Sequence, residues 1–269
     1  MRRILHLSDL HFDRVDQAIL QPLIHLAQQM QPHLVVVSGD VTQRARPKQF
    51  RSAREFLDRL PGPRLIVPGN HDVPLFNLVA RFFDPLANYR RFISQDLQPF
   101  FRDDELAVLG INTARSLTHK GGRIGVEQVT EVGLRFKEIP RNVAKVVVTH
   151  HPFDLPDPLR SRDLVGRARL AMHEFAKAGI DLLLAGHFHS SQAILTSTHY
   201  RIGSYSAVVV QASTATSTRV RNEANAFNLI EVEESRIVVR AHSWDSAYSI
   251  FRAGTERTFI KGPGGWTPG

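Results

Sequence analysis

The chain has 269 residues, 42% of them hydrophobic, which is enough to bury one sizeable core and is an ordinary length for one α/β domain over residues 1–269. There is no cysteine, so a disulfide framework and any Cys-ligated zinc or iron–sulfur site are excluded, and a metal could be held only by His, Asp, Glu or Asn. Lys and Arg total 34 against 26 Asp and Glu, a formal charge of +8 that favours anionic partners such as nucleotides, nucleic acid or acidic lipid headgroups.

In chain order, short β-rich apolar runs alternate with segments of helical spacing, the pattern of an α/β protein. Residues 4–7 read as a first strand, because the apolar run after Met1-Arg2-Arg3 breaks at Ser8-Asp9 and cannot be a signal-peptide core. Strands are expected next at 34–37, 65–67, 106–111, 146–148 and 182–184, and helices at 18–30, 49–60, 127–138 and 164–178. The stretch 75–101 is a long insert rich in aromatics (Phe76, Phe82, Phe83, Tyr89, Phe92, Phe100, Phe101), expected to be helical and, for the most part, core. After His189 the texture turns strand-rich, with runs at 193–196, 207–211, 226–232 and 237–241, and Gly262 to Gly269 reads as an irregular tail. No stretch has the length of apolar sequence that a membrane-spanning helix needs, and a cytoplasmic location is expected.

Polar, metal-capable residues stand where the predicted strands stop. Asp9-Leu10-His11 follows the first strand, and alternation in an extended segment would aim Asp9 and His11 the same way. Gly39-Asp40 follows the second strand and Gly69-Asn70-His71-Asp72 the third, with the glycines expected to let the backbone turn sharply. The fifth strand runs into Thr149-His150-His151-Pro152 and the sixth into Gly186-His187-Phe188-His189. Open α/β sheets build their sites at the carboxyl ends of strands, so five segments are expected to converge on one crevice. Six of the 13 histidines fall in these clusters; each cluster alone is a weak signal, but five in register with five strand ends are not.

The ordered series Asp-x-His, Gly-Asp, Gly-Asn-His-Asp, His and Gly-His-x-His, running from Asp9 to His189, resembles the signature of the calcineurin-like metallophosphoesterases. That resemblance implies a four-layer αββα sandwich of two mixed β-sheets flanked by helices, with two metal ions at the sheet ends. Carried over by position, it implies one metal held by Asp9, His11, Asp40 and His189. The other would be held by Asp40, Asn70, His150 and His187, with Asp40 bridging. His71 resembles the family's catalytic histidine, which protonates or stabilises the leaving oxygen. His151, next to a ligand, is expected in the surrounding shell or facing the substrate, and Asp72 is expected to fix its own turn.

Such a ligand set suits iron, manganese or zinc, and a carboxylate can bridge two ions with its two oxygens. Two cations about 3.5–4 Å apart acidify a bridging water and stabilise the attacking and leaving oxygens of an in-line displacement. The compact size, the Gly-Asn-His-Asp form and the segment Gly122-Arg123-Ile124-Gly125-Val126-Glu127-Gln128 resemble most the class III cyclic nucleotide phosphodiesterases. The expectation is therefore a hydrolase of cyclic nucleotides or related small phosphodiesters, with an anionic, nucleotide-like substrate. Arg44, Arg46, Arg115, His119, Lys120 and Arg123 are candidates to border the crevice, with Asn70, His71, His151, Arg44 and Lys120 as candidate substrate contacts. Three alternatives stand beside this. A nucleotide–lipid pyrophosphatase of lipid A synthesis is disfavoured because its best-known branch has Arg where this chain has His71, although the aromatic insert could cover a lipid or form a homodimer surface. A nuclease would suit the charge, but few residues follow His189 to build a nucleic-acid-binding region. A non-catalytic metal-binding protein is disfavoured because no ligand of the series is missing.

Overall fold

The computed structural model describes residues 1–118, 120–155, 164–218 and 223–269. Strand β1 (Arg2–Leu7) is followed by α1 (Gln17–Met30), β2 (Leu34–Ser38), α2 (Pro47–Leu57) and β3 (Arg64–Val67). Helix α1 starts where the Asp16 carboxylate accepts the Ala18 amide at 3.0 Å, and ends where Gln31 turns left-handed at φ 45° ahead of Pro32. Its buried positions Ile19, Leu23, Ile24 and Ala27 fall on one stripe, the face that packs on the sheet. Two short helices, α3 (Leu78–Phe83) and α4 (Ala87–Phe92), precede β4 (Phe100–Arg102) and β5 (Leu106–Gly110). Then come α5 (Val126–Phe136), β6 (Ala144–Val148), α6 (Ala168–Ala178) and β7 (Leu182–Ala185). The chain closes with β8 (Gln192–Leu195), β9 (Val208–Gln211), β10 (Ala226–Val232), β11 (Arg236–Asp245), β12 (Ile250–Gly262) and β13 (Gly265–Pro268).

Two mixed sheets result, ordered β13-β12-β11-β10-β1-β2-β3 and β4-β5-β6-β7-β9-β8. In the first, β1, β2 and β3 are parallel and β10 to β13 extend it antiparallel. In the second, β5, β6, β7 and β9 are parallel and β4 and β8 are antiparallel edges. Alternation along β1 sends Ile4 into the layer between the sheets and Leu5 and Leu7 outward against α1 and α2. The outer face of the second sheet packs on α5 and α6 through Leu109, Val129, Val132, Met172 and Phe175. The order is helix, sheet, sheet, helix, the αββα sandwich expected.

Two expectations are corrected, for the final residues and for the aromatics of 75–101. The final residues are not an irregular tail: β13 pairs with β12, and Trp266 is buried, its Nε1 donating to Asp181 Oδ1 at 3.0 Å. The strand-rich stretch after His189 is shared between the two sheets. Strands β10 to β13 continue the first sheet beyond β1, whereas β8 and β9 complete the second. The aromatics of 75–101 divide: Tyr89 is core, with Phe92, Phe100 and Phe101 packed against it or the neighbouring cores, whereas Phe76, Phe82 and Phe83 are exposed.

Candidate metal centre

The carboxyl ends of β1, β2, β3, β6 and β7 open on one side and bring the five polar segments together around the Asp40 carboxylate. Asp40 Oδ2 lies 3.4 Å from His150 Nε2, 3.8 Å from His11 Nε2 and 4.0 Å from His71 Nε2. Its Oδ1 accepts the His71 amide at 2.8 Å, so a single oxygen faces both groups of histidines, whereas the sequence suggested bridging through two. On one side of Asp40, Asp9 Oδ1 is 3.2 Å from His189 Nε2 and 3.6 Å from His11 Nε2, and the two imidazole nitrogens are 3.4 Å apart. On the other side, His150 Nε2 is 3.1 Å from Asn70 Oδ1 and 3.2 Å from His187 Nδ1.

These spacings fit cations. Ligand bonds of about 2.0–2.2 Å put neighbouring ligand atoms on one ion roughly 3–3.5 Å apart. Asp9 adds a second observation: Ser8 Oγ and the His187 amide donate to its Oδ2 at 2.6 and 3.0 Å, while its Oδ1 is buried without a hydrogen-bond partner. A carboxylate oxygen in that position calls for a cation. The His/Asp clusters are thus able to bind metals, and Asp40 belongs to two of them.

The local backbone is bent to make this possible. Asp9, His11, Asp40, His187 and His189 all have φ between 49° and 76°, the left-handed region that costs a side-chain-bearing residue about 1–3 kcal/mol. Asp9 and His11 therefore converge by tight turning, not by the strand alternation expected. Nor does Gly69 turn the chain: its backbone is extended, but a Cβ there would lie 2.1 Å from Asp40 Oδ1. Gly186 is required in the same way, since its Cβ would meet Ser8 Oγ at 1.8 Å.

Hydrogen bonds orient two of these histidines. His150 Nδ1 donates to Ser38 O at 2.8 Å, aiming Nε2 at the centre. Burial disfavours the His150 cation, yet the adjacent Asp40 carboxylate raises its pKa to about 9; burial, reinforced by His150, lowers His187 to about 4. Burial opposes ionisation of Asp40 as well, but His150, His71 and His11 hold it well below the carboxylate range. His71 Nδ1 donates to Gln43 O at 2.9 Å, which turns its Nε2 toward the centre, and its ring stands edge-on to that of His11 at 4.9 Å.

The remaining candidates distribute unevenly. Arg44 sits at the mouth, its Nη1 3.4 Å from His71 Nδ1. His151 is not substrate-facing: it is buried, Nδ1 pairs with Thr113 Oγ1 at 2.8 Å and Nε2 donates to Lys120 O at 3.1 Å. Its ring also packs 4.7 Å from that of His187, so both adjacent histidines turn inward, but only His150 has a nitrogen directed at Asp40. Burial and the His150 and His187 charges keep His151 well below the ordinary imidazole pKa, as suits a neutral ring that pins a loop. Lys120 enters through its carbonyl, with an exposed side chain. Arg115 is directed away, to Gln128 Oε1 and the carbonyls of Asn112 and Ala114, and Arg123 is fixed by pairing with Gly166. Arg46 is exposed at the start of α2, and His119 lies outside the described residues.

Some supports were not anticipated. Ser213 Oγ, Thr214 Oγ1 and Thr216 Oγ1 donate to the carbonyls of His189, Asp9 and Leu10, so the segment after β9 buttresses the first ligand loop. Its signal was the same one used elsewhere, a polar run ending an apolar strand. Beneath the centre, buried His6 pairs with Ser38 Oγ at 2.9 Å, and burial lowers its pKa to about 3.

A sandwich of this order with a histidine–carboxylate centre at its strand ends defines a metallophosphoesterase. The sequence model of the calcineurin-like phosphoesterase family matches residues 2–191, and the chain belongs to that family. A glycerophosphodiester phosphodiesterase, GpdQ, of Enterobacter lignolyticus is 28% identical over 174 residues, 63% of this chain and 59% of that protein. The fold is shared with a purple acid phosphatase from yellow lupin (Lupinus luteus; TM-score 0.72, 11% identity, 96% of this chain and 53% of that one). It is also shared with a dimetal phosphatase from Danio rerio (TM-score 0.65, 12% identity, 90% and 96%). Among the described residues no helix is long and apolar enough to cross a membrane.

Proposed function

We propose that the chain is a metal-dependent phosphodiesterase with Asp9, His11, Asp40 and His189 holding one ion and Asp40, Asn70, His150 and His187 the other. The observation that carries this reading is the position of Asp40 Oδ2 between His11 and His150, at 3.8 and 3.4 Å. Two bound manganese, iron or zinc ions would supply Lewis acidity, acidifying a water and neutralising the phosphoryl oxygens.

The chain's own residues do the rest. His71, held through Nδ1 by Gln43 O, carries its exchangeable proton at Nε2 and passes it to the leaving oxygen. Arg44, beside His71, supplies positive charge at the mouth, where a phosphodiester anion arrives. Asp72, Ser8 and Ser38 keep the ligand loops rigid, so that little reorganisation accompanies the reaction.

Cyclic nucleotides are candidate substrates through the resemblance in the sequence motifs, and glycerophosphodiesters through the relative described above. The test is hydrolysis of bis-p-nitrophenyl phosphate, p-nitrophenyl phosphate, cyclic AMP, glycerophosphocholine and a single-stranded oligonucleotide by manganese-loaded protein. Metal-dependent cleavage of the small diesters is expected. Cleavage restricted to the oligonucleotide, or to the monoester, would overturn the assignment.

A further inference from the structure

Helix α3 is inside out. Its one buried residue is Arg81, whose Nη1 and Nη2 donate to Pro74 O and Thr118 O at 2.9 and 2.8 Å. Its apolar side chains face outward: Leu78 is 61% exposed, Val79 71%, Phe82 55% and Phe83 86%, with Phe76 at 76% just before it. Leu117, beside the Thr118 that Arg81 holds, is 85% exposed. A surface helix ordinarily shows the opposite pattern, and a contiguous apolar surface of this kind marks a binding face.

The position of this surface identifies what covers it. Leu75 lines the same small cleft as Gln43, Arg44, Asn70, His71 and Arg81, so the apolar surface adjoins the candidate metal centre where cationic side chains stand. Arg44 stands at the junction, its guanidinium 5.9 Å from the centroid of Phe76 while its Nη1 lies 3.4 Å from His71 Nδ1. From the centre outward the order is cation-binding cluster, arginine, aromatic ring, aliphatic helix. That order complements an anionic head joined to an apolar chain.

We infer that the substrate is an amphiphile, a phosphoester carrying an alkyl or acyl chain that lies along the exposed face of α3. This rests on the phosphodiesterase reading and narrows it. The six residues of α3 rise about 9 Å, the length of roughly seven methylenes. Each methylene covered is worth up to about fourfold in affinity.

The test is a series of p-nitrophenyl alkyl phosphodiesters, methyl to dodecyl, used below their micelle concentrations. It is run on the manganese-loaded protein and on a Phe82→Ser/Phe83→Ser variant, whose altered positions are exposed and outside the metal centre. Expected is a kcat/KM that climbs about two- to fourfold per methylene to a plateau near eight carbons, and a flattened slope in the variant with the methyl ester unaffected. A flat series with good methyl-ester turnover would overturn the inference and leave the phosphodiesterase reading standing. The same result together with a dimer that the variant dissociates would assign the face to a second copy, and vesicle binding lost in the variant would assign it to a bilayer. If no diester is cleaved, calorimetry with dodecyl and butyl phosphate decides separately: at least tenfold tighter dodecyl binding, lost in the variant, supports the amphiphile, and equal affinities overturn it.

Discussion

Asp72 Oδ1 accepts both the amide and the hydroxyl of Thr42, at 2.8 and 2.9 Å, while its Oδ2 accepts the amides of Gly69 and Val41 at 2.9 and 3.1 Å. One buried carboxyl thereby clamps the loop that presents Asp40 to the turn that presents Asn70 and His71, a wider role than fixing its own turn. Burial and the Asp40 charge push its pKa up to about 6, against the pull of the Gly69, Thr42 and Val41 amides.

Replacing Asp72 with Ala would leave four buried donors without their acceptor. Hydrogen bonds to charged groups are worth about 1.5–3 kcal/mol each but do not add independently, so a loss of about 3–5 kcal/mol is expected. Urea unfolding of the variant measures it, and a loss below about 1 kcal/mol would show that the two loops hold together by other means.

Gly69→Ala tests close approach rather than flexibility. The added methyl would meet Asp40 Oδ1 at 2.1 Å and the Asp40 backbone nitrogen at 2.3 Å, so the loop that presents the Asp40 carboxylate must shift. Expected is a folded protein with lowered metal content and turnover. Native metal content would mean that the loop relaxes at little cost.

His71→Ala is expected to keep its metals and lose about a hundredfold to ten-thousandfold in kcat. The loss should be greater for esters with poor leaving groups, because a proton donor matters most where the departing oxygen is most basic. Equal losses across a series of leaving-group pKa values would argue for a role in positioning Asn70 alone.

Asp154 offers a pH-dependent test away from the ligands. Burial pushes its pKa up to about 6, His199 only partly offsetting the effect. The native state therefore holds a proton that the unfolded chain, with a carboxyl pKa of about 3.9, has released. Stability from this group is full below about pH 4, falls as pH rises through 6 and is level above. Asp154→Asn keeps an acceptor for the Leu155 amide at the Oδ1 position and removes the charge. It should stabilise the protein at pH 8 by up to about 3 kcal/mol, with no gain at pH 4, as read from thermal unfolding at both values.

Most of the first sheet's parallel half and the central strands of the second were legible because each is an apolar run ended by a polar cluster, and the same ends spelled out the centre. What escaped was decided at longer range. Trp266 looked like part of a Gly-Pro tail because its partner strand β12 is almost wholly exposed and carries little apolar periodicity. Asp9 and His11 approach each other through left-handed backbone and not through strand alternation, and such backbone at non-glycine residues leaves no mark in composition. The inverted helix α3 was invisible because Phe, Leu and Val in a helical stretch read as core until burial is known.

Metal titration with turnover followed at each step is the most direct measurement. Metal-free protein and its Asp40→Asn variant would be loaded with manganese while bis-p-nitrophenyl phosphate hydrolysis and bound metal are recorded together. A centre built around one shared Asp40 oxygen predicts two ions per chain, turnover that appears with the second equivalent, and loss of both features in Asp40→Asn. Full turnover at one equivalent, or two ions and undiminished turnover in the variant, would contradict a paired centre joined at Asp40.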